Sequence, residues 1–229
     1  MSNLVIGIEG LVGAGKTSIC RELIKEIPNT ILIEGGNLYR AIVAMKIKNG
    51  SKLDELKENA SNLDMKQMMD LFNIELKIEN NETVIYSNGQ KIDEKLLQSK
   101  EISLAVSSLG GRTKENNLFE FARNIIDDLK QNYNVIVSGR GLLNIYPKCN
   151  YHIFITADLD VRVKRKASQY SDKTEDEIRE NIIKRDALQK EVGYYDIHSI
   201  TKVVDVTDCK TANESAQKVL ELLEIPLEV

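Results

Sequence analysis

Aromatic residues are scarce in this chain: its 229 residues include no Trp and only four Phe. Positive charge is not in excess either, because the formal net charge is −4. Proteins that bind nucleic acid broadly carry a basic surface for the phosphates and aromatic side chains for the bases. The composition therefore argues against a nucleic-acid partner and favours a small anionic ligand.

Cysteine is also rare, and Cys20, Cys149 and Cys209 are far apart and form no C-x-x-C pair or Cys/His cluster. Such a set predicts buried free thiols in a reducing compartment. No apolar run approaches the roughly 18 residues that span a bilayer, and no signal peptide precedes the first apolar segment. We therefore expect a cytoplasmic protein with no membrane partner, and a monomer.

One glycine-rich stretch carries the strongest functional signal. Residues 10–17, Gly-Leu-Val-Gly-Ala-Gly-Lys-Thr, match the Walker A pattern of a phosphate-binding loop at every fixed position. A short apolar run, residues 4–8, precedes the loop, and residues 17–27 have helical spacing. Strand, glycine loop and helix are the order that this motif requires. The alternative is a glycine turn that binds no ligand.

The residue types of the loop fit the binding of a polyphosphate such as ATP. Glycine permits backbone conformations in which several N–H groups point at one anion, and the following helix N-terminus adds partial positive charge. Lys16 is predicted to reach the β- and γ-phosphates, and the Thr17 hydroxyl to ligate Mg²⁺ that arrives with the nucleotide. The predicted phosphate-binding residues are Gly10, Gly13, Ala14, Gly15, Lys16, Thr17 and Ser18.

The rest of the chain alternates between apolar runs and segments of helical periodicity. Further core strands are predicted at residues 30–33, 135–137, 151–156 and 202–206. Because parallel neighbours need crossover connections, this alternation predicts one α/β domain over residues 1–229, with a parallel five-stranded sheet and helices on both faces.

Residues 72–97 interrupt this alternation. Residues 73–78 alternate between polar and apolar side chains, residues 83–86 are strand-like, and Asn80-Asn81 and Asn88-Gly89 have turn chemistry. We predict a small antiparallel β insert, which is too small to be stable unless it packs on the core.

Four segments carry a resemblance to a known family: residues 33–40, residues 138–141 (Ser-Gly-Arg-Gly), residues 162–166 (Arg-Val-Lys-Arg-Lys) and residues 184–186 (Lys-Arg-Asp). In this order, with the insert and the loop, they resemble the bacterial cytidylate kinase family within the nucleoside monophosphate kinases. The resemblance covers nearly the whole chain. It implies a P-loop kinase-type fold in which the insert is a monophosphate-binding subdomain and residues 162–175 form a lid.

The resemblance implies transfer of the γ-phosphate of ATP to a nucleoside monophosphate. Gly36, Tyr39 and Arg40 would open the acceptor site, and Ser107 would bond the sugar or base of the acceptor. Arg140, like Arg40, would hold the acceptor phosphate, a bidentate task that suits a guanidinium group.

Phosphoryl transfer needs cations around the developing charge, and the predicted catalytic groups are Lys16, Arg140, Arg162 and Arg165. Arg162 and Arg165 are three residues apart, so on a helix they share a face and could converge on the β- and γ-oxygens when the lid closes. Arg185 would complete the cage. The alternatives are a solvated basic face for the lid arginines and a salt bridge between helices for Arg185.

Two acids, Glu9 and Glu34, are candidates to orient Mg²⁺-bound water, with N-cap or core-edge hydrogen bonding as the alternative role. His152 and His198 are expected to be structural.

Several positions depart from the family pattern. Ser138 stands where the family has an acid that helps to hold hydrated Mg²⁺, and Gly141 where a second acid reads the cytosine edge. Asn116 and Val192 stand in place of arginines, and Gln189 in place of an acid. The acceptor therefore stays open. A P-loop kinase for another small acceptor, such as a nucleoside, and a nucleotide-binding protein with little transfer activity are the alternatives.

Overall fold

The computed structural model describes residues 3–50, 65–97, 99, 101–102, 106, 117–168 and 173–224. Its contacts divide the chain into two compact units, residues 1–32 with 133–229 and residues 33–132. Each unit contains a cluster of buried apolar side chains of its own.

The secondary structure alternates as the sequence indicates. In chain order, the strands are β1 (Val5–Gly10), β2 (Thr30–Glu34), β3 (Ile74–Glu79), β4 (Glu82–Ser87), β5 (Gln90–Lys91), β6 (Asn134–Ser138), β7 (Tyr151–Thr156) and β8 (Thr201–Asp205). The helices are α1 (Lys16–Glu26), α2 (Gly35–Lys48), α3 (Met65–Leu71), α4 (Glu94–Leu97), α5 (Asn117–Lys130), α6 (Leu142–Ile145), α7 (Leu159–Ala167), α8 (Glu175–Glu191) and α9 (Ala212–Leu220).

The first unit is built on a sheet in which strands lie in the order β2, β6, β1, β7, β8. β1 pairs in parallel with both β6 and β7, and β7 pairs in parallel with β8. All six residues of β1 are buried, as is typical of a parallel strand that is covered on both faces. The predicted α/β fold with a parallel sheet is therefore confirmed.

Alternation of side chains along β1 gives the sheet two different faces. Ile6 and Ile8 pack in one apolar cluster with residues of α1 and α9, such as Leu23 and Val219. Gly7 lies on the opposite face, under α6, where an added Cβ would be only 3.3 Å from Leu142 Cδ1. Helices thus cover both faces of β1.

The second unit contains the predicted antiparallel strands. β3 pairs with β4 along its whole length, and β4 pairs with β5. Asn80 and Asn81 turn the chain with left-handed φ angles of 50° and 63°, which asparagine tolerates better than most residues. Ile74 and Ile85 pack with Ile42 of α2 in the apolar cluster of this unit.

Helix α8 begins at a sequence signal that can be recognised locally. Thr174 and Glu177 form a capping box at the start of α8, with the Glu177 amide donating to Thr174 Oγ1 at 3.3 Å. Residues 53–72 have helical spacing in the sequence but lie partly outside the described residues, and α3 is their described helix. Within the described ranges, no helix is both long and apolar enough to cross a membrane.

Candidate active site

The Walker A residues form a loop between β1 and α1 that depends on its glycines. Gly10, Gly13 and Gly15 have φ angles of 149°, 80° and 96°, a region that other residues rarely adopt. A Cβ at Gly10 would lie 2.2 Å from the Ile155 carbonyl oxygen, whereas one at Gly15 would meet nothing within 4 Å. Gly10 is therefore fixed by packing as well as by conformation.

Two arginines of α7 hold the peptide groups of this loop. Arg162 donates to the Val12 carbonyl oxygen at 3.1 Å, and Arg165 donates to the Ala14 carbonyl oxygen at 3.2 Å. In a trans peptide, the carbonyl of one residue points away from the N–H of the next. The amides of Gly13 and Gly15 are therefore directed away from the arginines, and neither donates to another described residue. These amides are available to an anion.

Lys16 begins α1 and folds back over the loop. Its Nζ donates to the carbonyl oxygens of Gly10 and Leu11, both at 3.0 Å. Burial, and then the positive charges of Arg140 and Arg185, lower the Lys16 pKa well below its usual value, while Asp186 acts in the opposite direction. Additional negative charge beside Lys16 would therefore favour its charged form.

Asp186 of α8 connects the loop to its surroundings. Its Oδ1 accepts from the Val12 amide at 3.1 Å and from the Tyr195 hydroxyl at 2.5 Å. Its Oδ2 accepts from Arg162 Nη1 at 2.5 Å, and both members of this ion pair are largely buried. In the sequence, Asp186 is recognisable only as part of the Lys-Arg-Asp segment, since spacing alone does not show that its carboxylate contacts the loop.

The lid arginines have partners other than phosphate in this structure. Arg162 is buried and also donates through Nε to the Ala157 carbonyl at 2.9 Å. Arg165 also donates to the carbonyls of Val206 and Cys209, at 2.9 and 2.8 Å. Both side chains therefore act on the loop from α7, and their contact with phosphate oxygens stays a prediction. Residues 169–172 of the predicted lid lie outside the described residues.

Arg140 follows β6 and lies beside the loop. Its Nη1 donates to the Gly10 carbonyl at 3.3 Å, and its guanidinium carbon is 5.9 Å from the centre of the Tyr195 ring. The positive charges of Arg140 and Arg185 both lower the Lys16 pKa. These three predicted site residues therefore lie close enough in the first unit to interact electrostatically.

Glu9 is buried on β1, and its Oε1 accepts from the Leu142 amide at 2.5 Å. The same oxygen lies 3.2 Å from His152 Nε2, and His152 Nδ1 lies 2.8 Å from Thr201 Oγ1. Of the two roles considered for Glu9, hydrogen bonding at the edge of the core is the one its contacts support. His152 has the structural role expected of it.

The segment after α8 lies against Gly141. A Cβ at Gly141, whose φ is 61°, would be 3.1 Å from Tyr194 Cε1 and 3.7 Å from Asn144 Nδ2. The neighbouring Tyr195 ring packs edge-on against Phe154 of β7, with 5.5 Å between ring centres. Tyr194, Asn144 and Tyr195 could not be predicted from the sequence, because they belong to no recognisable motif.

The acceptor residues predicted in the second unit lie at or near the start of α2. Gly36 is in the first turn, Tyr39 is buried in the apolar cluster, and Arg40 donates to the Leu97 carbonyl at 2.8 Å. Glu34 Oε2 accepts from the Asn37 amide group at 2.7 Å. Ser107 and Asn116 lie outside the described residues.

No group of three or more His, Cys, Asp or Glu side chains that could hold a metal occurs in the described part of the chain. Thr17, in the first turn of α1, is the predicted metal ligand, and its hydroxyl makes no hydrogen bond to another described residue. The position therefore fits a metal ion that is bound mainly by a nucleotide.

A parallel α/β sheet with a glycine loop between its central strand and the following helix defines the P-loop class of nucleotide-binding folds. The family model described as cytidylate kinase matches residues 6–225, and the chain belongs to the cytidylate kinase family. The predicted family and the predicted class of enzyme, a nucleoside monophosphate kinase, are thereby confirmed.

Individual relatives agree with this assignment. The cytidylate kinase of Caldicellulosiruptor bescii is 28% identical over 97% of this chain and 96% of its own length. That of Clostridium botulinum strain Loch Maree is 26% identical over 96% of each chain. A crystal structure of an uncharacterized protein from Eubacterium ventriosum, 14% identical, covers 97% of this chain and 98% of that chain with a TM-score of 0.50. This structural likeness shows the fold alone.

Proposed function

We propose that the protein transfers the γ-phosphate of ATP to a nucleoside monophosphate, with Mg²⁺ bound to the nucleotide. The observation that carries this proposal is the loop itself: its carbonyls are held by Arg162 and Arg165, and its amides at Gly13 and Gly15 are available. Together with family membership, this arrangement supports a donor site for polyphosphate.

On the donor side, the loop amides hold the phosphate oxygens and Lys16 supplies a mobile positive charge. The Lys16 ammonium exchanges the carbonyls of Gly10 and Leu11 for β- and γ-oxygens, which are stronger acceptors because they are charged. Thr17 is the residue that would hold Mg²⁺, which would supply neutralising positive charge when bound with the nucleotide. The reaction needs little covalent chemistry from the protein, because its rate depends mainly on positioning the reactants and stabilising the charge that develops on the phosphate oxygens.

On the acceptor side, Arg140 and Arg185 supply positive charge close to Lys16. We assign Arg140 to the acceptor phosphate because it lies at the carboxyl end of the sheet, beside the loop. Gly36, Tyr39, Arg40 and Ser107 remain proposed acceptor contacts on the strength of the family resemblance.

Arg162 and Arg165 contribute mainly by orienting the loop. A direct contact with the phosphates is a further proposal. For Arg162, the donors bound to protein are Nε and Nη1, so a phosphate contact through Nη2 would leave the present bonds in place.

Release of ADP from ATP tests the function when it is measured with nucleoside monophosphates, with nucleosides and with no acceptor. We expect turnover with one or more monophosphates. Turnover with nucleosides alone would instead indicate the other kinase function, and tight ATP binding without turnover on any acceptor would indicate a binding protein.

Lys16→Ala is the internal test of the donor site, and we expect it to abolish turnover and to weaken ATP binding. Lys25→Ala is the matched control because Lys25 lies in the last turn of the same helix, is exposed and pairs with Glu22. Activity that survives Lys16→Ala would contradict the assignment of the loop.

A further inference from the structure

The position of Gly141 in the fold makes it a neighbour of reacting groups. β1 lies where the strand order of the sheet reverses, and ligands of parallel α/β folds bind at the carboxyl ends of strands at such a point. Gly141 follows β6 at that edge, directly after Arg140, which contacts the Gly10 carbonyl. A molecule whose phosphate binds Arg140 would place its remaining part close to residue 141.

Other side chains border the space that a residue-141 side chain would occupy. A Cβ there would be 3.1 Å from Tyr194 Cε1, tighter than ordinary contact, and 3.7 Å from Asn144 Nδ2. The φ of 61° further disfavours any side chain at this position. A side chain at residue 141 would therefore require the Tyr194 ring to shift by a few tenths of an ångström, and the groups that border this position are the Tyr194 ring and the Asn144 carboxamide.

The polar groups of this surface are not used by the protein. The side chains of Tyr194 and Asn144 make no hydrogen bond to another described residue. The Gln189 backbone carbonyl accepts from the Tyr194 amide at 2.9 Å, which ties the main chain at Tyr194 to the end of α8.

We propose that Tyr194 and Asn144 form the surface that reads the base of the acceptor nucleotide, an assignment that rests on the proposed function. Hydroxyl and carboxamide groups offer donors as well as acceptors, whereas a carboxylate offers acceptors alone. The surface can therefore bond a ring that presents a carbonyl oxygen as well as one that presents an amino group. The substrate class is a nucleoside monophosphate whose ring can carry a keto edge, with UMP accepted alongside CMP.

Partial burial supports a donor role for Tyr194, because it raises the pKa of the hydroxyl and keeps the proton in place at neutral pH. The ring also offers a face on which a base can stack, an interaction that does not depend on which base is present. Both properties favour tolerance between bases of equal size.

The test compares kcat/KM for UMP and CMP in the full chain. In the unaltered protein, we expect the two values to agree within about tenfold. Asn144→Asp removes the donor and should lower kcat/KM for UMP relative to CMP by about tenfold or more. Tyr194→Phe keeps the ring and loses the hydroxyl, and Tyr194→Ala loses both, so KM for both acceptors should rise further in the second variant.

Asn213→Asp and Tyr151→Phe are the matched controls, since Asn213 is on α9 and Tyr151 begins β7 at the opposite end of that strand from the loop. Both control variants should leave the ratio of kcat/KM for UMP to kcat/KM for CMP unchanged. If the protein turns over monophosphates and neither Asn144→Asp nor Tyr194→Ala changes KM or the ratio, this assignment is overturned while the kinase function stands. If no monophosphate is bound or turned over, the kinase function fails first, and the assignment fails with it.

Discussion

Arg162 donates to the carbonyl oxygen of Val12 across 150 residues of sequence, at 3.1 Å. The same guanidinium pairs with Asp186, which in turn accepts from the Val12 amide at 3.1 Å. The peptide groups on both sides of Val12 are therefore fixed by one buried ion pair. The loop has its orientation before any ligand arrives, which reduces the ordering that binding requires.

Removal of Arg162 should weaken both the fold and the donor site. We expect Arg162→Met to lower the free energy of unfolding by about 2 to 4 kcal/mol, because Asp186 is left largely buried without its partner. The affinity for ATP should fall as well, since the Val12 carbonyl is released. Urea denaturation and nucleotide titration measure the two effects.

The double variant Arg162→Met with Asp186→Leu is the control, because it removes the buried charge together with its partner. If the losses from Arg162→Met and Asp186→Leu were additive, they would predict a certain free energy of unfolding for the double variant. We expect the measured value to exceed it by a coupling energy of at least about 1 kcal/mol. Strictly additive losses would show that the ion pair does not act as a unit.

Two glycines of the loop should respond differently to the same substitution. Gly10→Ala places a Cβ 2.2 Å from the Ile155 carbonyl, so β7 or the loop must move and the folded protein should be lost or severely destabilised. Gly15→Ala meets no atom within 4 Å and should cost about 1 to 2 kcal/mol through its left-handed φ alone. Thermal unfolding of both variants checks this order, and equal losses would contradict it.

Binding of a nucleotide should be accompanied by proton uptake at Lys16. Burial, and then the positive charges of Arg140 and Arg185, lower the Lys16 pKa, and the negative charge of a bound phosphate raises it, so protons are taken up at pH values between the pKa of the free protein and that of the complex. Affinity should therefore fall as the pH rises through the lowered value. Calorimetry of ADP binding in buffers of different protonation enthalpy gives the proton count.

Lys16→Met should lose this uptake, while Lys25→Met should keep it because Lys25 is exposed in the last turn of α1 and pairs with Glu22. An identical proton count in the unaltered protein and in Lys16→Met would assign the uptake to another group.

Cys149 should be a slow thiol in the folded protein. Burial raises its pKa to about 11, so roughly one molecule in a thousand carries the thiolate at pH 8. Labelling with a disulfide reagent should be slow at pH 8 and should accelerate as the pH approaches 11. Cys149→Ser identifies its share of the signal, and the urea-unfolded chain gives the reference rate. A native rate equal to that reference would contradict the raised pKa.

The fold was predictable because its main signals are local. The strands are short apolar runs, and Thr174 and Glu177 carry a capping pattern that is readable within four residues. Helices α4 and α6 were not predicted, since four residues are too few to show a helical period.

The site was only partly predictable. Lys16 and the loop glycines belong to a motif with fixed spacing, but Asp186 and Tyr194 act through contacts between segments far apart in the sequence. Arg162 shows the same limit. Its spacing from Arg165 correctly places both on one helix, yet the loop carbonyls they hold are set by tertiary packing.

The loop is held by hydrogen bonds to residues far along the sequence, so these supporting contacts can form only late in synthesis. When residues 10–17 leave the ribosome, the side chains that hold Val12 and Ala14 have not been made, and they appear only with residues 162–186. A nascent chain that ends before Arg162 would contain the whole Walker A sequence and lack its supports. The ability to bind a nucleotide should therefore be acquired late in translation, when most of the chain is complete.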